Sequence, residues 1–232
     1  MWTRPASKLQ FVSLKVPLNM ASRYVLYYSP ASASMLVHVL LLQLTVPHEL
    51  RLVDIAKGEH RTPEYLRLNP NGFVPTLLVD GKPMIETSAI SMYLAECHPE
   101  GNLAPAIGDP NCATYLQWFF HFANTLQPAY RLWFYPTEIP NTDIEHVKAV
   151  GSARVEKSWE LLEKHLEAAN TPFIAGDKLT AVDIYATMLV RWSRNFPKPA
   201  TQWPHIAALV ERVTSLPSWK KMNEIEGNTD WL

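Results

Sequence analysis

Glu86 and Thr87 stand where one strand-like run, Lys82-Pro83-Met84-Ile85-Glu86, gives way to a helix-like one. At such a junction a ligand carboxylate can receive the threonine hydroxyl, the free N–H groups of the helix start and the positive end of the helix dipole. The Glu86 carboxylate can pair with an ammonium on the same ligand, so an α-amino acid end suits this corner. Upstream, Pro75 opens the run Thr76-Leu77-Leu78-Val79. Proline donates nothing to a sheet ladder and belongs at a strand's first residue or on an edge. A cis Val74–Pro75 bond turns the chain sharply and leaves the Val74 N–H and C=O facing outward, unpaired by the sheet. Together these residues outline a cleft for a small peptide. The plainer alternative is that Thr87 caps its helix and Glu86 adds favourable charge there.

These residues need a scaffold, and the surrounding pattern supplies one. The run Arg23-Tyr24-Val25-Leu26-Tyr27-Tyr28 is aromatic and β-branched enough for a strand, a Ser/Pro/Ala break follows, and the apolar stretch 35–44 reads as a buried helix. A second strand fits residues 48–55 and a short helix 63–68. The pair Asp80-Gly81 between two apolar runs is a hairpin signal, because both central positions of a type I′ turn need positive φ. With a helix from about residue 87 to 96, this half reads as β-α-β followed by β-β-α. Residues 98–111 are rich in Pro and Gly, and beyond them helices are expected at 112–133, 143–169, 180–193, 203–214 and 218–225. The expected division is therefore an extension over 1–22, an α/β domain over 23–100 and an all-α helical bundle over 101–232. Within the last, Thr180 and Asp183 have capping-box spacing at the start of an apolar run. That motif is structural, and no catalytic role is assigned to it.

Bulk properties narrow the partners. A chain of 232 residues with formal net charge −1 and no long block of like charge offers nucleic acid or an anionic membrane no electrostatic attraction. No apolar run reaches the ~18 residues of a membrane span. The two cysteines, Cys97 and Cys112, form neither a CxxC motif nor a metal-ligand cluster. A reducing, cytoplasmic compartment and a small-molecule target follow as expectations, with no metal. Residues 1–22 carry Arg4, Lys8 and Lys15 and no acid, a composition shared by organellar transit segments, disordered extensions and starts upstream of Met20.

Three motifs in order now identify a resemblance. Residues 57–81 resemble the glutathione-site stretch of cytosolic glutathione transferases, Glu86-Thr87-Ser88-Ala89-Ile90 resembles their Glu-Ser-x-Ala-Ile signature, and residues 173–186 resemble their C-terminal capping motif. The likeness covers roughly residues 23–227. It implies a thioredoxin-like domain followed by a helical domain, a homodimer, and glutathione as cosubstrate with no other cofactor. By the same resemblance Val74 pairs its main chain with the cysteinyl part of glutathione, Pro75 is the cis proline, Glu86 and Thr87 hold the γ-glutamyl end, and His60 contacts the glycine carboxylate. Phe73, also at this site, departs from the Gln or Lys frequent there, which puts one glycine-end contact in doubt.

The sulfur needs its own partner. Thioredoxin-like redox proteins carry a CxxC after the first strand, whereas residues 27–34 here offer only hydroxyls. The stretch Pro30-Ala31-Ser32 resembles the phi-like branch, whose serine donates to the glutathione sulfur. A beta-like alignment instead points to Ser34, with Ala33 and Gln127 standing where that branch has its cysteine and histidine. Ser32 ranks first, Ser34 second and Tyr27 third, and either serine could simply cap the helix. Lowering a thiol pKa from about 8.5 to about 6.5 takes roughly 2.7 kcal/mol. One hydrogen bond to the anion offers about 1.5–3 kcal/mol and a helix N-terminus about 0.3–1 more, so the two suffice. The resemblance implies conjugation to a small apolar electrophile between the domains, with Trp118, Phe122, Tyr130 and Trp133 as candidate lining, no more than two of them facing the pocket. A catalytically weak glutathione-binding module, a peroxidase and an isomerase or reductase on the same fold are the alternatives.

Overall fold

Alternation along β1 (Tyr24–Tyr28) decides the layout of the first half. Tyr24, Leu26 and Tyr28 face the main core, whereas Tyr27 packs with Val53, Tyr65 and Val74 in a small separate cluster. The structure is a computed structural model that describes residues 24–229, so the expected extension at 1–22 lies outside the described residues. Four strands make one mixed sheet in the order β2-β1-β3-β4. β2 (His48–Leu52) runs parallel to β1 with Leu26 opposite Leu50, and β3 (Thr76–Val79) runs antiparallel to β1 with Leu26 opposite Leu77. Asp80 and Gly81 join β3 to β4 (Lys82–Met84) with φ of 49° and 79°, the two positive values a type I′ turn demands. β4 ends before Glu86; Pro83 lacks an N–H for the ladder and sits on this edge strand.

The parallel pair β1–β2 requires a crossover, and α1 (Ser34–Gln43) provides it. Its residues from Ser34 to Leu41 are all buried, as befits a helix that is apolar on every side and covered by the sheet, α3 (Thr87–Cys97) and the helical half. On the sheet's other face lies α2 (Pro63–Leu66), begun by Pro63 and capped by the Thr62 hydroxyl, which accepts the Tyr65 N–H at 3.3 Å.

The second half is helical: α4 (Cys112–His121), α5 (Gln127–Phe134), α6 (Ile144–Ala169), α7 (Ala181–Trp192), α8 (Pro204–Thr214) and α9 (Pro217–Glu226). The single helix expected over 112–133 is interrupted by a π-helical turn at Phe122–Leu126. Pro128 is the cause: it has no N–H for the Asn124 carbonyl and crowds it, so the ladder slips and Gln127 N–H bonds Phe122 O instead. At Gly151 of α6 a Cβ would lie 2.9 Å from Leu132 Cβ and 3.1 Å from Ala129 O, so only glycine lets α6 approach α5 this closely. α7 is buried from Ala181 through Arg191. Its capping box forms, and Asp183 accepts from Thr180 N–H, the Thr180 hydroxyl and Ile174 N–H, each at 2.8 Å. Burial outweighs those bonds and raises the Asp183 pKa to about 6. Among the described residues no helix is long and apolar enough to cross a membrane.

Candidate active site

The loop between β1 and α1 is a knot of hydroxyls. Ser32 Oγ donates to Ser29 O at 2.7 Å and lies 2.8 Å from Ser34 Oγ, which in turn lies 3.0 Å from Ser29 O and accepts the Ser29 N–H at 3.2 Å. Ser34 is fully buried, whereas Ser32 keeps part of its surface in solvent. The two candidates therefore differ in kind. Ser34 is enclosed and braces the loop. Ser32 caps the Ser34 N–H at 3.2 Å, at the positive end of α1, and can turn its proton outward while Ser34 Oγ remains beside it. The residue before it, Ala31, has φ of 60°, a left-handed conformation that costs a residue with a Cβ about 1–2 kcal/mol. Two bonds from the helical half hold it: Ala31 N–H donates to Glu226 Oε2 and Trp192 Nε1–H donates to Ala31 O, both at 3.3 Å.

Tyr27, the third candidate hydroxyl, points to the other face of β1. There its ring meets Tyr65 edge-on and its oxygen accepts from Arg51 Nη1 at 3.2 Å.

The Val74–Pro75 bond is cis. Val74 lies outside β3, is nearly buried and enters no main-chain hydrogen bond of the loops among the described residues. The turn before it is anchored by residues that the sequence reading did not single out: Phe73 O accepts from Tyr65 Oη at 2.6 Å and from Asn69 Nδ2 at 2.7 Å. Gly72, at φ of 63°, lies against the next turn back; a Cβ there would sit 2.6 Å from Arg61 Nη1 and 2.9 Å from His60 O. Close packing thus brings the His60 carbonyl against Gly72. His60 is half-buried and its Nδ1 is enclosed without a partner. Phe73 is 43% exposed, and the guanidinium carbons of Arg131 and Arg61 lie 4.6 and 5.4 Å from its ring centre. At the position where the resemblance leads one to expect Gln or Lys stands an aromatic ring flanked by two cations, one from each half of the molecule.

At the opposite corner, Glu86 precedes α3 with φ of 73° and is exposed, and its carboxylate enters no ion pair among the described residues. The first α3 bond is Ile90 N–H to Glu86 O, which leaves the N–H groups of residues 87–89 without intrahelical acceptors. Thr87 is buried, and Ser91 Oγ holds its carbonyl at 2.7 Å. Next to them Ser88 Oγ donates to Tyr185 Oη at 3.3 Å, and Tyr185 Oη donates to Gln127 Oε1. Burial holds the Tyr185 phenol well above its usual range, so it stays neutral and the chain of bonds across the domain contact stays intact. Gln127 is engaged here, with Tyr185.

The four aromatics expected to line a substrate pocket separate sharply. Phe122 and Tyr130 are core residues, fully enclosed, and Tyr130 Oη donates to Leu189 O at 2.8 Å while accepting from Trp159 Nε1 at 3.2 Å. Trp118, 5% exposed, packs on Phe122 and His165 beneath an open cavity of about 340 Å³ between α4 and α6. Trp133 alone of the four is only partly buried, with its ring 4.4 Å from that of Phe196. Helical spacing had put these rings on one stripe, and the stripe turned inward because that is where their apolar area is lost from water. Among the described residues no group of three or more His, Cys, Asp or Glu could hold a metal ion.

Known proteins resemble this chain in sequence and in fold. Residues 32–97 match the family "Glutathione S-transferase, N-terminal domain" and residues 123–224 match "Glutathione S-transferase, C-terminal domain". The zeta-class glutathione S-transferase of Euphorbia esula is 30% identical over 199 residues, 83% of this chain and 86% of that protein. The maleylacetoacetate isomerase of Dictyostelium discoideum is 27% identical over 202 residues, 85% and 92% of the two chains. A sphingomonad glutathione S-transferase, solved in complex with glutathione, superposes with a TM-score of 0.75 at 25% identity, covering 88% of this chain and all of that one.

Proposed function

Because the chain belongs to the glutathione S-transferase family and is an enzyme of that kind, we propose that it conjugates reduced glutathione to a small apolar electrophile through a thiolate stabilised by Ser32. The observation that carries this reading is the partly buried Ser32, whose Oγ sits at the N-terminus of α1 with the enclosed Ser34 Oγ 2.8 Å behind it. In the proposed mode the peptide's cysteinyl main chain pairs with Val74, its γ-glutamyl end with Glu86 and the start of α3, and its glycine carboxylate approaches His60 and the guanidinium groups around Phe73. Ser32 Oγ–H then donates to the sulfur. The thiol proton leaves to solvent, the thiolate forms the C–S bond, and the leaving group departs with its electron pair. Ser32 forms no covalent bond, and the hydroxyl with the helix dipole supplies the roughly 2.7 kcal/mol that a two-unit pKa shift needs. No further cofactor enters the proposed reaction.

Partly buried Trp133 is the proposed aromatic contact for the electrophile. We place the glutathione-binding unit at residues 23–100 and the helical unit at 101–232, and take the working form to be a cytoplasmic homodimer, which light scattering on the purified protein tests. A second reading, favoured by the isomerase relative, has the same thiolate add reversibly to a conjugated double bond and leave after rotation. That route uses the sulfur of glutathione itself and needs no protein cysteine.

Turnover of a chlorinated aromatic by wild type, Ser32→Ala and Ser34→Ala, with calorimetry of glutathione binding alongside, tests the proposal. The expected result is glutathione binding in all three and a loss of about 10–100-fold in kcat/KM for Ser32→Ala. Equal, slow turnover in all three with glutathione bound indicates a binding module instead. Absence of glutathione uptake at millimolar levels removes the whole reading.

A further inference from the structure

Glu226, the last residue of α9, is separated in sequence from the serine loop by most of the chain, yet its buried carboxylate sits directly beneath that loop. Oε2 accepts the Ala31 N–H at 3.3 Å and the Asn228 side-chain amide at 3.3 Å. Oε1 lies 2.8 Å from His38 Nδ1. A carboxylate only accepts, so His38 Nδ1 carries the proton of that bond. His38 is wholly buried on α1, one turn beyond Ser34 and on the same helix face. One carboxylate therefore ties together the residue before Ser32 and the helix that follows it. The second anchor is Trp192 at the end of α7, whose indole N–H holds the carbonyl of the same Ala31.

Enclosing a carboxylate is costly, and this one leaves His38 Nε2 buried without a partner. Holding α9 against α1 does not require that cost, since apolar side chains would do it as well or better. Holding Ala31 at φ of 60° does require polar partners on both sides of its peptide groups. The other groups that face the pair are the Tyr28 ring, 5.9 Å from His38, and the His48 ring, 6.0 Å from it. Burial and then the charge of Glu226 push the Tyr28 phenol up, so Tyr28 stays neutral beside the loop.

We propose that Glu226, with His38 and Trp192, is a positioning residue for the sulfur site: it fixes the Ala31 peptide so that the Ser32 hydroxyl is aimed at the glutathione sulfur. This rests on the assignment of Ser32 given above. The C-terminal helix then contributes to the chemistry without touching the ligand, and truncation or displacement of α9 disarms the serine while leaving the glutathione corner at Glu86 and Thr87 in place.

Thiolate absorbance of bound glutathione, titrated against pH, reads this directly, because a purely structural role would not move it. In Glu226→Ala the apparent thiol pKa is expected to rise by about one unit relative to wild type, with kcat down about 10-fold and KM for glutathione within about 3-fold. Glu226→Gln keeps an oxygen for the Ala31 N–H and an amide that can donate to the other His38 tautomer, so it is expected to restore most of the wild-type titration. Should Glu226→Ala not fold, Trp192→Phe keeps the ring, loses the N–H to Ala31 O, and is expected to shift the titration in the same direction by a smaller amount. Ser32→Ala runs in parallel. If Ser32→Ala moves the titration while folded Glu226→Ala and Trp192→Phe leave it at the wild-type value, the positioning role is overturned and the serine assignment stands. If Ser32→Ala does not move it either, both fall.

Discussion

The serine loop at residues 29–34 and the aromatic stretch at 118–133 are equally rich in side chains that could do chemistry, and they meet opposite fates. In the loop Ser32 keeps part of its surface in solvent at a strand-to-helix junction, where open backbone groups need partners and short polar side chains supply them, while Ser34 is enclosed behind it. Of the four rings expected at the pocket, Phe122 and Tyr130 lie fully inside the core, Trp118 is nearly so, and Trp133 keeps part of its surface outside. The difference teaches that apolar area decides the location of a side chain before its chemistry can be used. A hydroxyl loses little by remaining half-exposed, whereas a buried aromatic ring contributes about 1.5–3 kcal/mol by leaving water.

The sharpest way to break this contrast is Phe122→Ala. Its ring lies 5.7 Å from Trp118, 5.6 Å from Tyr185 and 6.3 Å from Trp159, so truncation should cost about 3–5 kcal/mol of unfolding free energy in urea melts. A loss below about 1 kcal/mol would mean that the ring is not core. The acid of the helical region should likewise act on stability. The folded pKa of Asp183, about 6, lies above its ordinary value of 3.8, so the folded state holds the proton more tightly. The associated stabilisation is complete below about pH 4 and is lost as pH rises to about 6, a change of up to about 3 kcal/mol. Melts across that window should slope downward in wild type and flatten in Asp183→Asn. Ser34→Ala comes next, with about 1–3 kcal/mol lost because the Ser29 N–H beneath it is left without its acceptor. An unchanged melting temperature would contradict its bracing role. The smallest effect is expected from Trp133→Leu, with KM for an apolar electrophile raised about 3–5-fold, roughly 1 kcal/mol, in steady-state kinetics. No change in KM would remove the last of the four aromatics from the substrate site.

Much of the first half was legible because local rules agree with one another there. Asp80-Gly81 has a single comfortable turn type, Pro75 has few places in a sheet, and an apolar run such as residues 35–41 between two strands can only be a crossover helix. The order of helices was legible for the same reason. The break at Phe122–Leu126 was signalled by Pro128, whose effect on a ladder four residues earlier is easy to overlook inside a strongly apolar pattern. Ser32 and Ser34 are indistinguishable by type and spacing; what separates them is which one the knot around Ser29 encloses, a property of the folded loop. Tyr65 and Asn69, which pin the Phe73 carbonyl, sit in the turn-rich run before Gly72, and that run was a usable signal. Glu226 had none. Its bonds to Ala31 and His38 join residues at opposite ends of the chain, and no local pattern in an amphipathic terminal helix marks the one carboxylate that turns inward.

The central claim is that the Ser32 hydroxyl carries the thiolate. Titrating the ultraviolet absorbance of glutathione bound to wild type and to Ser32→Ala measures it most directly. The predicted outcome is a wild-type sulfur that ionises at about pH 6.5 and a variant sulfur that ionises at least about one unit higher, toward the value of about 8.5 for a free thiol. Coincident curves for the two proteins, with glutathione shown to be bound in both, would contradict it.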